Sequence, residues 1–303
     1  MKEISDILAR VAEFEPDERA VLATVIEVIG SGYRLPGARM LILPDGTTSG
    51  TVSGGCLEAD VLERAKRVLE TGDTEIFTYD TTDNEASVFS LNMGCRGIIR
   101  IRLESIGKDS EIITKMDAAY HGRKGSDDIV PPIALLLFGA GTDAIPLVRI
   151  ASELGWQITV HDHRPAFLVA ERFPAAKMLV HDTVDRPPEI TADEYTAAVI
   201  MTHNYSRDRL VLPKLLRSAA FYVGALGPKR RTEQLLGELA AAGESFTDDQ
   251  LSRLYAPIGL DIGADTPEAI ALSIAAEIQG VIKHRIGGHL RERHGSIYDR
   301  KQI

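Results

Sequence analysis

Apolar residues at Ile4, Ile7, Leu8 and Val11 recur at the spacing of one helical face, so the first 15 or so residues read as an amphipathic helix. From residue 21 the period changes. The runs VLATVIEVI (21–29) and RMLIL (39–43) are rich in branched apolar side chains and are broken by GSG, PG and PDG turn signals, which predicts strands. A helix from about Leu57 to Leu69 follows, then strands near 74–79 and 97–104. These elements predict a small α+β unit.

Between about 106 and 132 the chain becomes charged, loses clear periodicity and ends in Val130-Pro131-Pro132, the signature of a linker with room for one short helix. Beyond it, strand and helix patterns alternate. IALLLF precedes a helix to about Leu154, QITVHD a helix to about Phe173, and KMLVHD, AAVIMTH and FYVGAL follow with helices between them. Alternation of this kind predicts a doubly wound parallel sheet of Rossmann type. Asp265-Thr266-Pro267-Glu268 supplies a capping oxygen and a first-turn proline for a last helix, whose stripe of Ile270, Ile274, Ile278 and Val281 reads as core packing. The expected division is an α+β domain over 1–106, a linker over 107–132 and a Rossmann domain over 133–303.

Length supports two cores, since 303 residues exceed what one usually organises. No stretch of about 18 uncharged apolar residues is present to span a bilayer, and the acid-bearing N-terminus lacks the apolar run of a signal peptide. A cytoplasmic protein is expected. The net charge of -10 argues against nucleic acid as a partner, because such a surface needs cations to displace phosphate counterions. The basic stretch Lys283 to Lys301 is a local exception that reads as a solvated tail completing a helix C-terminus. With two cysteines, Cys56 and Cys95, there are too few for a zinc site, and they read as individual thiols.

The segment IALLLFGAGTDAIPL sets Gly139, Gly141 and Ala144 as G-x-G-x-x-A between a strand and a helix. The first glycine permits the turn, the second lets backbone approach a pyrophosphate, and the small third residue lets helix and strand close up. Amides at the helix start attract the anion. Asp162, 21 residues after Gly141, is placed to accept a ribose hydroxyl. Arg164 beside it leaves NAD and NADP both open, and a fold retained without its nucleotide site is the alternative. His203-Asn204 and Gly224-Ala225-Leu226-Gly227, the latter followed by Lys229, Arg230 and Arg231, end later strands and can face the same crevice. The plainer readings are a structural histidine and an exposed first helical turn.

Both cysteines have glycine neighbours. Ser53-Gly54-Gly55-Cys56-Leu57-Glu58 falls where a strand gives way to a helix, a setting that favours a thiolate, with Gly54 and Gly55 clearing space beside it. Cys95 sits in Asn92-Met93-Gly94-Cys95-Arg96-Gly97, with Arg96 adjacent. Two small buried hydrophobes are the competing reading. In the loop Gly30 to Met40, Arg34 and Arg39 have the planar forks suited to phosphate or carboxylate, or else line a solvent-facing turn.

Taken in order, PGARM (36–40), SGGCLE (53–58), MGC (93–95), FGAGTDAIPL (138–147), DHRP (162–165), MTHNY (201–205), GALGPKRR (224–231) and PIGLDIGADTPEAIALSIAAEI (257–278) resemble the XdhC/CoxF family over nearly the whole chain. The resemblance implies a non-catalytic accessory protein that binds molybdenum cofactor (molybdopterin), supports its sulfuration and delivers it to a xanthine-dehydrogenase-type apoenzyme. It also implies a cysteine desulfurase as a further partner and a homodimer. Cys56 and Cys95 would then be molybdenum or sulfur ligands in one pocket, with Arg39 on the cofactor's phosphate. The chain departs from the pattern at Asn204, where an acid is frequent, at Arg96 for glycine, and at Pro228 for serine. The alternatives are an NAD(P)-dependent oxidoreductase, for which His203 would be the acid or base, and a regulator that senses an adenine nucleotide through its Rossmann domain.

Overall fold

The computed structural model describes residues 2–80, 97–122, 129–183 and 187–294. It divides into two compact units between Pro131 and Pro132. Cys95, with the rest of its MGC motif and Arg96, lies outside the described residues.

The first unit is built on a five-stranded antiparallel sheet of order β3-β2-β1-β5-β4. Its strands are β1 (Ala20–Gly30), β2 (Arg39–Ile42), β3 (Thr48–Gly50), β4 (Glu75–Asp80) and β5 (Gly97–Ile106). The apolar stripe at the N-terminus becomes α1 (Lys2–Ala12), with Ile4, Ile7, Leu8 and Val11 all buried. Central strand β1 reads as an unbroken apolar run because both faces are covered. Ala20 and Leu22 pack with α1 and α3 (Glu111–Tyr120), while Val21, Ala23 and Val25 pack with α2 (Glu58–Thr71). Helix α3 falls in the charged stretch expected to be linker, yet Ile113, Met116 and Ala119 join the core of this unit. Its three apolar contacts lie at helical spacing but are diluted by Lys115, Asp117 and the charged residues before it.

The second unit holds a six-stranded parallel sheet of order β11-β10-β9-β6-β7-β8. Its members are β6 (Ala134–Phe138), β7 (Gln157–Asp162), β8 (Met178–His181), β9 (Thr196–Ile200), β10 (Tyr222–Ala225) and β11 (Leu254–Tyr255). Counted from β6 this is the Rossmann order 3-2-1-4-5-6, with the reversal between β6 and β9. Helices α4 (Ala144–Glu153) and α8 (Pro267–Ile282) cover one face; α5 (Tyr205–Arg217) and α6 (Lys229–Ala241) cover the other, and α7 (Asp248–Ser252) leads into β11. The predicted start of α8 is realised, with Thr266 Oγ1 accepting from the Ala269 amide at 3.2 Å and Ile274 and Ile278 fully buried.

Two expected helices do not form. Between β7 and β8 there is only a short 3-10 turn at Pro165–Phe167, because Phe173 is buried in the core and Arg164 and Arg172 both stack on the Phe167 ring, fixing turns in place of a helical face. Between β8 and β9 the described residues are irregular, and Pro187-Pro188 explains why, since neither ring nitrogen can donate to a helix. Strand β11, two residues long, was too short to signal itself in the sequence.

Candidate functional site

Two clusters carry the chemistry-bearing residues, one in each unit. In the first, the chain leaves β3 through Thr51 to Leu57 and enters α2 at Glu58. The Glu58 carboxylate turns back over this loop and accepts from the Ser53 amide at 2.9 Å, from Thr51 Oγ1 at 2.6 Å and from Ser53 Oγ. Ser53 Oγ in turn accepts from the Gly55 amide at 3.2 Å and the Leu57 amide at 3.1 Å. Together they satisfy amides that a helix start leaves orphaned and put a carboxylate where the helix dipole favours it. Those hydrogen bonds from Ser53 and Thr51 hold the Glu58 carboxyl below its ordinary range despite its partial burial.

Cys56 rides on this loop as an exposed free thiol, 3.7 Å from Ser53 Oγ. Gly55 adopts φ 103°, a conformation that strains any side-chain-bearing residue, and has open space where a Cβ would be. Gly54 is covered differently. The Tyr33 ring, from the loop over 31–38, lies 3.4 Å from where a Gly54 Cβ would stand. At the same end of the sheet Gly30 pairs with Gly97, and a Cβ on Gly97 would collide with the Ser31 carbonyl. Three loop segments therefore meet there: Gly30 to Tyr33, Ser53 to Cys56, and Gly97, two residues beyond Cys95 in the chain.

Arg39 is not on that surface. It is 2% exposed, donates Nη1 to the Gly37 carbonyl at 2.8 Å, and stands among the largest fully buried side chains. Its neighbour in the loop, Arg34, pairs with Glu3 of α1. As folded, neither arginine offers an unengaged fork to a phosphate.

In the second unit, Gly139, Gly141 and Ala144 form the turn from β6 into α4 as the motif requires. Gly139 has φ 118°, and a Cβ there would strike the Met201 carbonyl where β9 ends. His203 follows that end with φ 53°, an uncommon conformation for a residue with a side chain, and its Nε2 lies 2.7 Å from Asp143 Oδ2. This pair spans the reversal point of the sheet, where α/β proteins bind ligands. Asn204 caps α5 by accepting from the Arg207 amide at 3.2 Å, which gives the asparagine there a structural task. Gly227, at φ 132°, lies under Arg231, whose Nη2 is held at 2.8 Å by Asp208.

Asp162 is placed at the end of β7, but its carboxylate is buried. Oδ2 accepts from the Ala140 amide at 2.7 Å and Arg164 Nη2 at 2.8 Å; Oδ1 accepts from the Arg164 amide at 2.8 Å and Nε at 2.9 Å. These donors outweigh burial and pull its pKa down to about 2.

Beside it lies a buried polar network that no sequence motif announces. Asp182, just past β8, meets His161 Nδ1 at 3.2 Å and the Arg207 guanidinium, and Thr202 donates to Asp208. His161, Asp182, Arg207 and Asp208 are all buried. Burial and the nearby Arg207 charge push the His161 pKa down to about 4, so the ring, stacked on Phe138 at 4.6 Å, is neutral. A weaker signal was present: strands β7 and β8 both run out as Val-His-Asp, at 160–162 and 180–182, putting charge directly on the ends of apolar runs. Among the described residues no group of three or more His, Cys, Asp and Glu side chains is arranged to hold a metal ion, and no helix is long and apolar enough to cross a membrane.

Residues 135–278 match the family model described as the XdhC Rossmann domain, and residues 14–80 match that of the XdhC and CoxI family. A probable xanthine dehydrogenase subunit from Bacillus subtilis (strain 168) is 30% identical over 320 residues, covering 88% of this chain and 94% of that protein. The molybdenum cofactor insertion chaperone PaoD of Escherichia coli (strain K12) is 24% identical, over 88% of this chain and 84% of its own. The crystal structure of a xanthine dehydrogenase from Bacillus halodurans superposes with a TM-score of 0.78 at 29% identity, covering 94% of this chain and 97% of the other.

Proposed function

This chain belongs to the XdhC and CoxI family, and on that premise we propose that it is an accessory protein that carries molybdenum cofactor as cargo and delivers it to a xanthine-dehydrogenase-type apoenzyme. The likeness to an insertion chaperone along most of both chains supports the role. The observation that carries the site is the exposed Cys56 thiol, presented on a loop that Ser53 and Glu58 hold from behind. A soft thiolate suits a sulfur-rich metal centre, and Gly55 leaves room for something bulky to approach. The Tyr33 ring beside Gly54 supplies a flat apolar wall at the same place. Cys95 is assigned as the second sulfur ligand on sequence grounds, and Arg39 as a supporting residue of the loop that carries Tyr33.

In this reading the protein handles the cargo during sulfuration, with a cysteine desulfurase as sulfur donor, and works as a cytoplasmic homodimer. The second unit holds a nucleotide or the nucleotide-like part of a cofactor, with the pyrophosphate at Gly139, Gly141 and Ala144 and the pair of His203 and Asp143 at the mouth. The test is activation of a purified apo-hydroxylase by this protein preloaded with molybdenum cofactor, with and without a cysteine desulfurase. Activation above that given by free cofactor is expected. No gain over free cofactor in either arm would overturn the delivery role.

The second reading, nucleotide sensing, is favoured by one observation: a left-handed His203 bridges the two loops at the sheet reversal, a place where a bound nucleotide would alter the bridge. Nucleotide-dependent cargo release would separate it from simple storage.

A further inference from the structure

The end of β7 carries an acid at the position from which dinucleotide-binding folds hold a ribose diol. Here that acid has no capacity left. A carboxylate offers about four lone-pair sites, and Asp162 spends them on the Ala140 amide, the Arg164 amide, Arg164 Nε and Arg164 Nη2. Accepting ribose hydroxyls would mean giving up a bidentate arginine pair for weaker neutral donors.

What reaches solvent at this rim is one cation, Arg164, and two imidazole rings. The side chains of Asp162 and Asp182 are 1% and 2% exposed, while that of Arg164 is 37% exposed and His163 and His181 also reach the surface. Arg164 is fixed on two sides, by Asp162 along its Nε edge and by the Phe167 ring 4.0 Å beneath its plane. The covalent geometry of the guanidinium leaves its Nη1/Nη2 end for another acceptor. His163 Nδ1 lies 3.3 Å from Asp162 Oδ1, and His181 Nε2 lies 3.1 Å from the His163 carbonyl, which draws both rings to the same rim. An arginine already held in place loses little side-chain entropy when it takes a ligand.

Resting on the reading of this crevice as a nucleotide site, we infer that its ribose end selects ligands bearing a phosphomonoester beside the ribose, such as a 2′-phosphorylated nucleotide, over those with a free diol. Arg164 is the specificity-determining residue, with the imidazoles of His163 and His181 beside it as hydrogen-bonding groups. Burial and the nearby Arg207 and Arg164 charges hold the His163 pKa below its ordinary value. Asp162 is the residue that positions Arg164 and ties it to the glycine loop through the Ala140 amide.

Calorimetric titration of the full-length protein with NADP+ and NAD+ tests this. NADP+ is expected to bind about tenfold or more tightly, the scale of one charge-assisted hydrogen bond, with the ratio shrinking as salt rises. In Arg164→Gln the ratio should fall towards one with NAD+ affinity largely kept, and His163→Gln should lower it partly. The wild-type ratio alone decides the matter if Arg164→Gln fails to fold. Equal binding, or tighter NAD+, overturns the inference and leaves the nucleotide site standing. No binding of either at millimolar concentration overturns both.

Discussion

The Cys56 loop and the end of β7 are built from the same materials, a carboxylate at a strand-helix or strand-turn junction and a neighbour with functional chemistry, but they are turned inside out relative to each other. At the Cys56 loop the half-buried acid, Glu58, works behind the scenes and the reactive group faces solvent. At the end of β7 the motif residue, Asp162, is the buried member and its cation faces out. Which partner reaches the surface, and not which residue matches a motif, sets what each site can do.

The largest expected effect comes from breaking the buried pairs of the second unit. Arg207→Ala leaves Asp182 as an uncompensated charge and should destabilise that unit by about 3 to 5 kcal/mol. Urea unfolding should therefore resolve an early transition in this variant, and a midpoint unchanged from wild type would mean the pair is not structural.

Acid should act on the same region in two steps of known sign. The His161 pKa falls from 6.5 unfolded to about 4 folded, so the unfolded chain binds more protons between those values, and stability is lost as pH drops from 6.5 through 4, by about 2 to 3 kcal/mol. Asp162 contributes above its unfolded 3.8 and loses that contribution as pH falls through about 2; allowing for solvent screening of Arg164, this amounts to about 1 to 2 kcal/mol. Unfolding free energies at pH 7, 5, 3 and 1.5 would show both, with the upper step flattened in His161→Gln. A slope that survives in that variant assigns the step to another group.

Smaller effects are expected where neutral groups, and no buried charge, lose a partner. Ser53→Ala removes the acceptor for the amides of exposed Gly55 and buried Leu57, so a loss of about 1 to 2 kcal/mol is expected in thermal unfolding. Faster alkylation of Cys56 should accompany it as the loop loosens, and a thiol of unchanged reactivity would detach Ser53 from the presentation of Cys56. Smallest is the α5 cap, where Asn204→Ala should cost about 1 kcal/mol, measured the same way, against a few tenths for Asn204→Asp.

The contrast between these two regions also explains what could be read in advance. The apolar periods of α1, β1, α2 and α8 were legible because burial leaves a direct imprint on residue type, and Gly139 because a Cβ there would strike the Met201 carbonyl. The G-x-G-x-x-A loop followed by an acid named the fold correctly. It could not say that Asp162 would be saturated by a residue two positions away, since Arg164 could equally have pointed outward. Arg39 shows the same limit, because an arginine in a glycine loop reads as a ligand until the strand it starts turns it inward. A short helix in the linker was allowed for, but its charged surroundings hid that α3 belongs to the first core, and the expected helix before β8 was lost to two arginines stacking on one phenylalanine.

In the proposed function, the exposed thiol on the loop held by Ser53 and Glu58 carries the cargo. The most direct test of this is the molybdenum-to-protein and pterin-to-protein ratio of the full-length chain after loading and desalting, for wild type and Cys56→Ala at matched folding by circular dichroism. Near-stoichiometric retention by wild type and a loss of tenfold or so in Cys56→Ala is expected, the scale of one lost soft ligand among several contacts. Equal retention of molybdenum and pterin by the two proteins would contradict the account.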